Sequence, residues 1–164
     1  MATKFSVGFL RSSRYVVSGP VLGTDRIDRK QATPEGKMKA SQGAPTILVV
    51  EDHSDSRTLL SAWLRAKGYK VVEARNGKEG LLQANRVRPD LILMDLTLPE
   101  LDGVEATRQI RKRHVLLQTP IFAISGYTTR DVRADALAAG CTEVFDQPLD
   151  LESLLGKIRD TLGA

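Results

Sequence analysis

Apolar residues from position 46 onward occur in short runs, and these runs alternate with stretches of helical periodicity. A short apolar run bounded by turn residues is typical of a strand that is buried on both faces. Apolar residues spaced three and four apart are typical of one face of a helix. The pattern predicts strands at 46–50, 69–73, 90–94, 120–124 and 143–145, and helices at 55–67, 78–86, 103–113, 129–139 and 150–162.

This alternation of strands and helices predicts an α/β fold with one parallel sheet. Parallel neighbours need crossover connections, and right-handed crossovers produce a doubly wound sheet with helices on both faces. Ligands of such sheets bind at the carboxyl ends of the strands, where the strand order reverses. The residues that directly follow the strands are therefore the candidates for function.

The first 45 residues differ in composition from the rest of the chain. They carry eight Lys and Arg against three Asp and Glu, a net charge of +5, whereas residues 46–164 carry sixteen against seventeen, a net charge of −1. They lack sustained periodicity, and Pro20, Pro34 and Pro45 interrupt them. Such a composition buries too little apolar surface to offset the entropy of ordering. We predict a disordered basic leader over 1–45 and one folded domain over 46–164.

Charge and hydropathy argue against two classes of partner. The folded part is near neutral, whereas phosphate-backbone binding needs basic residues clustered on one folded face, so we expect no direct contact with nucleic acid. No apolar run is long enough to cross a membrane, and we expect a cytoplasmic protein without membrane attachment. Arg111, Lys112 and Arg113 lie before His114 at a predicted helix end, where positive charge suits the dipole, and they are interpreted as a solvated terminus.

Two further features are assigned to packing. The lone cysteine, Cys141, permits no internal disulfide and follows Ala-Ala-Gly at a predicted helix end, so it is interpreted as a small buried residue. The helix at 55–67 carries four apolar residues at helical spacing, which predicts that its apolar face is buried. These residues are Leu59, Leu60, Trp63 and Leu64.

Acidic residues follow two of the predicted strands. Glu51 and Asp52 follow the first strand, and Asp95 follows the third. Three carboxylates at one edge of a sheet repel each other, and Mg²⁺ relieves that repulsion because it binds carboxylate and phosphate oxygens. An ionised Asp95 could attack a phosphoryl group without a general base. Taken singly, each acid is equally well explained as a helix cap or a turn residue.

Two polar residues follow the remaining candidate strands. Ser125 precedes Gly126, which predicts a tight turn with an exposed hydroxyl that could bond a phosphoryl oxygen, although an ordinary turn serine is an equal alternative. Gln147 and Pro148 follow the fifth strand. His53 comes after the acidic pair, but Mg²⁺ prefers oxygen ligands, so His53 is interpreted as an exposed residue at a helix start.

Five segments resemble the response-regulator receiver domain in order and spacing, from about residue 46 to the C-terminus: ILVVED, LILMDLTLPELDG, IFAISGY, Ala-Ala-Gly-Cys and QP. The resemblance implies a flavodoxin-like sheet with strand order 2-1-3-4-5. It implies that Asp95 is the phosphoacceptor and Ser125 the switch hydroxyl. It further implies that Mg²⁺ is held by Glu51, Asp52, Asp95 and the backbone carbonyl of Thr97, and that Pro99 and Gly103 shape the neighbouring loop.

The sequence departs from the receiver pattern at two positions. Gln147 stands where receivers usually carry a lysine that contacts the phosphoryl oxygens, and Gln supplies a hydrogen bond but no charge. Val144 stands where receivers usually carry an aromatic residue that reports phosphorylation. Phe145 is adjacent, but strand alternation directs it to the opposite face.

The resemblance implies a stand-alone receiver that takes a phosphoryl group from a histidine kinase or a phosphotransfer protein. It would signal by protein contact through helix 4, strand 5 and helix 5, as a monomer or weak dimer, and would catalyse only its own phosphorylation and dephosphorylation. One alternative is a degenerate receiver that works as a scaffold or adaptor without phosphorylation, which Gln147 and Val144 favour. A second is an aspartyl phosphatase, which typically needs another Asp where this chain has Thr97.

Overall fold

A computed structural model describes residues 43–127 and 129–163 of the chain. The predicted disorder of the leader lies outside these residues for positions 1–42. The elements in chain order are β1 (Thr46–Val50), α1 (Ser54–Ala66), β2 (Lys70–Ala74), α2 (Gly77–Val87), β3 (Leu91–Asp95), α3 (Gly103–Arg111), a 3₁₀ turn (His114–Leu116), β4 (Ile121–Ser125), α4 (Arg130–Ala139), β5 (Glu143–Asp146) and α5 (Leu151–Leu162).

The five strands form one parallel sheet in the order β2-β1-β3-β4-β5. This confirms the predicted doubly wound, flavodoxin-like α/β fold. The strand order reverses between β1 and β3, where Val50 pairs with Met94. The carboxyl ends of these two strands consequently lie side by side.

Successive residues of the central strands enter two separate cores. On β1, Leu48 and Val50 pack into a cluster with residues of α2, α3 and α4, whereas Ile47 and Val49 pack into a cluster with residues of α1 and α5. Because both faces are covered, the central strands are apolar throughout and not alternating. The helices of the described residues are too short or too polar to span a membrane.

The edge strand β5 divides its side chains between the two cores as the sequence predicts. Val144 is buried among residues near α3 and α4. Phe145 packs on the opposite face, with its ring centroid 5.5 Å from that of Phe122. The aromatic side chain is therefore not available on the face that Val144 occupies.

The interpretation of Arg111 as part of a solvated helix end is wrong. Helix α3 ends at Arg111, two residues earlier than predicted, and the guanidinium turns inward. Its Nε and Nη2 donate to the Gly140 carbonyl at 3.0 and 2.8 Å, and its Nη1 donates to the Leu116 carbonyl at 2.9 Å. Burial lowers the pKa of Arg111, and the side chain ties the end of α3 to the end of α4.

Cys141 is buried, as predicted. Its Sγ lies 3.7 Å from the Thr107 hydroxyl in the core between α3 and the start of β5. Burial raises the pKa of this thiol. Cys141 is thus a packing residue with little thiolate character.

The predicted burial of the α1 stripe is only partly correct. Leu64 is fully buried and Leu60 is partly buried, but Leu59 is 72% exposed. Trp63 is partly buried, and Lys67 Nζ lies 5.8 Å from the centre of its ring. Helix α1 therefore presents one apolar residue, Leu59, to the surface.

Candidate functional site

The candidate site is a cavity of about 400 Å³ at the carboxyl ends of β1, β3, β4 and β5. It brings together the residues that follow different strands, as the sequence predicts. Its lining consists of Glu51, Asp52, His53, Ser56, Asp95, Thr97, Gly126, Tyr127 and Gln147. Among these side chains, all within the described ranges, no Lys or Arg is present, so the cavity is dominated by carboxylates.

Glu51 is a buried carboxyl at the end of β1. Burial raises its pKa, and the negative charges of Asp95 and Asp52 raise it further. A hydrogen bond from the His53 backbone N–H to Oε1, 3.1 Å long, opposes this rise. The hydrogen bond to Glu51 does not offset the cost of burying its charge, so a bound cation would stabilise the ionised form.

Asp95 occupies the equivalent position at the end of β3 and is also buried. Burial raises its pKa, and the charge of Asp52 adds to this effect. The Thr97 backbone N–H donates to Oδ1 at 2.8 Å, which opposes the rise and fixes the carboxylate. Oδ2 is the carboxylate oxygen that this bond does not use.

The donor set fits a divalent cation. Glu51, Asp52 and His53 each offer one ligand atom, and these three atoms lie within 4.8 Å of one another. Asp95 and Thr97 line the same cavity. Carboxylate and carbonyl oxygens are the ligands of Mg²⁺, which bridges a few carboxylates to phosphate oxygens. The chemistry of the residues thus agrees with the expected magnesium site.

Arg57 supports the acidic pair from below and was not predicted from the sequence. Its Nη1 donates to the backbone carbonyls of Glu51 at 2.7 Å and Asp52 at 3.1 Å, while its Nε lies 3.6 Å from Glu73 Oε2. The guanidinium thereby connects the turn between β1 and α1 to β2. A hydrogen bond from a side chain to a backbone carbonyl six residues earlier has no periodic signature, so the sequence does not reveal it.

The loop that follows β3 is packed against backbone on both sides. A Cβ added to Gly103 would lie 2.1 Å from the Asp95 carbonyl oxygen, and one added to Gly77 would lie 2.1 Å from the Leu101 carbonyl oxygen. Only glycine permits these approaches. For Gly103, this supplies the physical reason for the loop-shaping position that the sequence indicated.

Glu100 secures the same loop to the start of α2. It adopts the left-handed region with φ of 66°. Its carboxylate accepts a hydrogen bond from Asn76 Nδ2 at 3.0 Å and lies 3.1 Å from Lys78 Nζ. The loop that carries Thr97 is therefore joined to a neighbouring helix as well as to its own strand.

The expected exposure of the Ser125 hydroxyl is wrong. Ser125 is only 2% exposed, and its Oγ interacts with the backbone of Tyr127, lying 3.2 Å from the carbonyl oxygen and 3.3 Å from the nitrogen. The hydroxyl therefore closes its own turn, and the Tyr127 side chain is directed to solvent. To donate to a group on Asp95, this hydroxyl would have to give up its hydrogen bond to the Tyr127 carbonyl, although it could still accept from the Tyr127 N–H.

Gln147 lies in the cavity wall, as its position after β5 predicts. Its Oε1 is 3.1 Å from the point that a Cβ on Gly126 would occupy, so the amide faces the turn after β4. It brings a neutral amide to the wall where receivers usually place a lysine.

Comparison with known proteins agrees with this fold. The family model for the response regulator receiver domain matches residues 47–159. The polar-differentiation response regulator DivK of Brucella anthropi is 30% identical over 118 residues, which cover 72% of this chain and 96% of DivK. A protein-glutamate methylesterase/protein-glutamine glutaminase of Myxococcus xanthus is 39% identical over 127 residues, which cover 72% of this chain but only 35% of that enzyme.

Two solved structures share the fold and part of the sequence. The chemotaxis protein CheY4 of Vibrio cholerae has a TM-score of 0.70 and 28% identity, and covers 73% of this chain and 100% of its own. The receiver domain of the sensor histidine kinase PA1611 of Pseudomonas aeruginosa has a TM-score of 0.69 and 34% identity, and covers 74% of this chain and 100% of its own. That structure holds a magnesium ion in its active-site cleft.

The fold, the acidic cavity and these matches define a signalling domain of two-component systems. The chain belongs to the response regulator receiver domain family.

Proposed function

We propose that Asp95 accepts a phosphoryl group from a phosphohistidine on a histidine kinase or phosphotransfer protein. The observation that carries this proposal is the convergence of buried Asp95 with Glu51 and Asp52 in one cavity at the strand ends. We further propose that the protein acts in the cytoplasm as a stand-alone receiver, monomeric or weakly dimeric, and signals by protein contact through α4, β5 and α5. The match to nearly the whole of DivK supports the stand-alone reading.

In the proposed reaction, Asp95 Oδ2 attacks the phosphorus atom of the donor. The new O–P bond replaces the P–N bond, whose electron pair remains on the donor imidazole. Thr97 N–H holds Oδ1 and thereby orients the nucleophile. Mg²⁺, held by Glu51, Asp52, Asp95 and the carbonyl of Thr97, would neutralise the negative charge that accumulates on the phosphoryl oxygens. Gln147 would donate a hydrogen bond to one of these oxygens through its amide.

The test uses the full chain and a small phosphodonor, acetyl phosphate. With Mg²⁺ present we expect the intact mass to rise by one phosphoryl group, and peptide mapping to place it on Asp95. With EDTA in place of Mg²⁺ we expect no labelling. A folded protein that gains no phosphoryl group from acetyl phosphate and binds no beryllofluoride would refute the proposal.

The adaptor alternative is favoured by one observation, the neutral Gln147 in the cavity wall. Gln147→Lys restores a positive charge there, and we expect beryllofluoride to bind about tenfold more tightly, the worth of one charge-assisted hydrogen bond. Fluorescence titration of the single tryptophan, Trp63, measures the change. Gln118→Lys adds the same charge in an exposed loop away from the site and is the control.

The outcome separates the two functions. Uptake by the natural protein that Gln147→Lys strengthens supports a working receiver with a weakened phosphoryl site. No uptake by the natural protein, with uptake restored in Gln147→Lys, identifies a degenerate receiver that acts as an adaptor. Equal beryllofluoride affinity in both proteins would show that the amide of Gln147 stabilises the phosphoryl oxygens as well as a lysine does at this position.

We also propose that the phosphodonor protein packs against an apolar groove beside the acidic cavity. The groove has a volume of about 490 Å³ and shares Glu51, Ser56 and Gln147 with the cavity. A donor that covers Asp95 must extend over this neighbouring surface, where burial of apolar side chains would stabilise the complex. Its apolar lining comprises Leu59, Leu60, Trp63, Ile124, Pro148, Leu149 and Leu151.

Leu59→Lys is expected to slow phosphotransfer from a protein donor about tenfold or more without changing labelling by acetyl phosphate, because only the protein donor contacts the groove. The donor is a phosphohistidine phosphotransfer domain selected by transfer rate from a panel. Leu82→Lys on α2 is the control, since Leu82 is 66% exposed and lies outside the groove lining. Equal slowing in both variants, or none in Leu59→Lys, would contradict the docking proposal.

A further inference from the structure

His53 places a ring nitrogen beside the two acids of the site. Its Nδ1 lies 3.1 Å from Asp52 Oδ1 and 3.6 Å from Glu51 Oε1. The side chain is 80% exposed at the mouth of the cavity, so a cation in solution has direct access to it. The nitrogen therefore belongs to the same group of ligand atoms as the carboxylates.

The two separations that involve Nδ1 suit ligands of one cation, and all three ligand atoms lie within 4.8 Å of one another. Metal bonds of about 2.0–2.1 Å place neighbouring ligand atoms about 3.0 Å apart in an octahedron and about 3.4 Å apart in a tetrahedron. The distances from Nδ1 to the two carboxylate oxygens lie close to these values. His53 Nδ1 and Asp52 Oδ1 are at hydrogen-bond distance, and a cation bound between them would replace that contact.

The chemistry of the donors distinguishes two kinds of cation. Mg²⁺ prefers oxygen and retains water in its remaining positions, so the carboxylates and Thr97 serve it without His53. Imidazole binds Zn²⁺, Ni²⁺ and Cu²⁺ more strongly than it binds Mg²⁺. An imidazole added to an acidic site consequently raises its affinity for the late first-row ions and leaves its affinity for magnesium nearly unchanged.

We propose that His53 makes this site a binding site for Zn²⁺ and Ni²⁺, which compete there with Mg²⁺. This inference rests on the cation site of the proposed function and adds a property that the carboxylates alone do not supply. Zn²⁺ would bind beside Glu51 and Asp52 with a nitrogen ligand that Mg²⁺ does not use. The receiver would then be sensitive to the ratio of the two ions.

The composition of the chain makes the proposal easy to test. The whole chain contains two histidines and one cysteine. Cys141 is buried in the core, and His114 lies in the 3₁₀ turn after α3, outside the lining of the acidic cavity. Residues 1–42 contain neither histidine nor cysteine and offer no competing imidazole or thiolate.

The experiment is calorimetric titration of the full chain with ZnCl₂, NiCl₂ and MgCl₂ at one fixed pH. Asn in place of His53 keeps a polar group near the Nδ1 position but removes the imidazole. We expect His53→Asn to lower the affinity for Zn²⁺ and Ni²⁺ about tenfold or more and to change the affinity for Mg²⁺ by less than about twofold. His114→Asn is the matched control and is expected to change none of the three. Circular dichroism verifies that each variant is folded.

An NMR titration supplies a second readout. We expect one equivalent of Zn²⁺ to shift the imidazole resonances of His53 and leave those of His114 in place. Unchanged Zn²⁺ affinity in His53→Asn, or an equal loss for Zn²⁺ and Mg²⁺, would overturn the proposal. Labelling by acetyl phosphate with Mg²⁺ is measured separately. A failure of phosphoryl uptake would not contradict a His53-dependent Zn²⁺ site. The absence of such a Zn²⁺ site would likewise not contradict phosphorylation of Asp95.

Discussion

Asp95→Asn is expected to abolish phosphoryl uptake and to make the metal-free domain more stable. The amide has no anionic oxygen, so nucleophilic attack is lost entirely. Burial raises the pKa of Asp95, which means that the folded domain binds the proton of this carboxyl more tightly than the unfolded chain does. Its ionisation therefore costs stability as the pH rises above the unfolded pKa, and the neutral amide avoids that cost.

Two measurements test this expectation. Acetyl phosphate should label the natural protein and not the variant. In EDTA, the denaturation midpoint of Asp95→Asn should exceed that of the natural protein at neutral pH, and the difference should shrink as the pH falls toward the ordinary range of a carboxyl. Mg²⁺ should stabilise the natural protein more than the variant, because the variant has lost one ligand.

Asp135→Asn is the matched control, since Asp135 is exposed on α4. It removes the same charge without touching the cavity and is expected to change neither labelling nor the response to Mg²⁺. Labelling of Asp95→Asn at the rate of the natural protein would refute Asp95 as the acceptor. A variant that is less stable than the natural protein in EDTA would refute the account of the buried charge.

Gly103→Ala is expected to cost about 3 kcal/mol of folding free energy and to weaken Mg²⁺ binding about tenfold or more. The added Cβ would meet the Asp95 carbonyl oxygen at 2.1 Å and the Leu96 Cα at 2.8 Å. Both are backbone atoms, so no side-chain rotation relieves the collision. The start of α3 must separate from the end of β3, and this movement displaces Asp95.

Gly156→Ala is the matched control, in which the same substitution is expected to stabilise the protein. Gly156 lies inside α5, and nothing is within 4 Å of its added Cβ. We expect a gain of about 0.5–1 kcal/mol from the better helix propensity of alanine and no change in Mg²⁺ binding. Denaturant unfolding and Mg²⁺ titration measure both variants. A Gly103→Ala protein with natural stability and natural Mg²⁺ affinity would contradict the packing argument.

The order of elements was predictable because each central strand is buried on both faces. A strand such as β3, Leu91–Asp95, appears in the sequence as an apolar run that ends in an acid. Parallel pairing then places the residues at the carboxyl ends of the strands along one edge, which is why the sequence alone predicts that Glu51 and Asp95 lie close together. The strand order and the specific roles came from the resemblance to receivers.

The incorrect predictions concern tertiary contacts, which depend on the neighbours that a residue meets in the folded structure. Helical spacing identifies the apolar side of α1 but not where the covering surface ends, so Leu59 was expected to be buried. Arg111 bonds the carbonyl of Gly140, 29 residues away, and no local pattern signals such a contact. The hydroxyl of Ser125 was expected to be exposed, since the sequence does not reveal that it forms hydrogen bonds with the backbone of Tyr127.

That hydroxyl sets a limit on how strongly the proposed switch can respond. A phosphoryl oxygen on Asp95 would have to displace an existing partner, since Ser125 Oγ already bonds the Tyr127 backbone. Its gain is the difference between a charged and a neutral hydrogen bond, about 1 kcal/mol. Moving an equilibrium from almost entirely one state to almost entirely the other needs about 5.5 kcal/mol. Without a lysine or an aromatic partner to add to it, the proposed switch would be a graded device, whose output would follow the phosphorylated fraction at reduced amplitude.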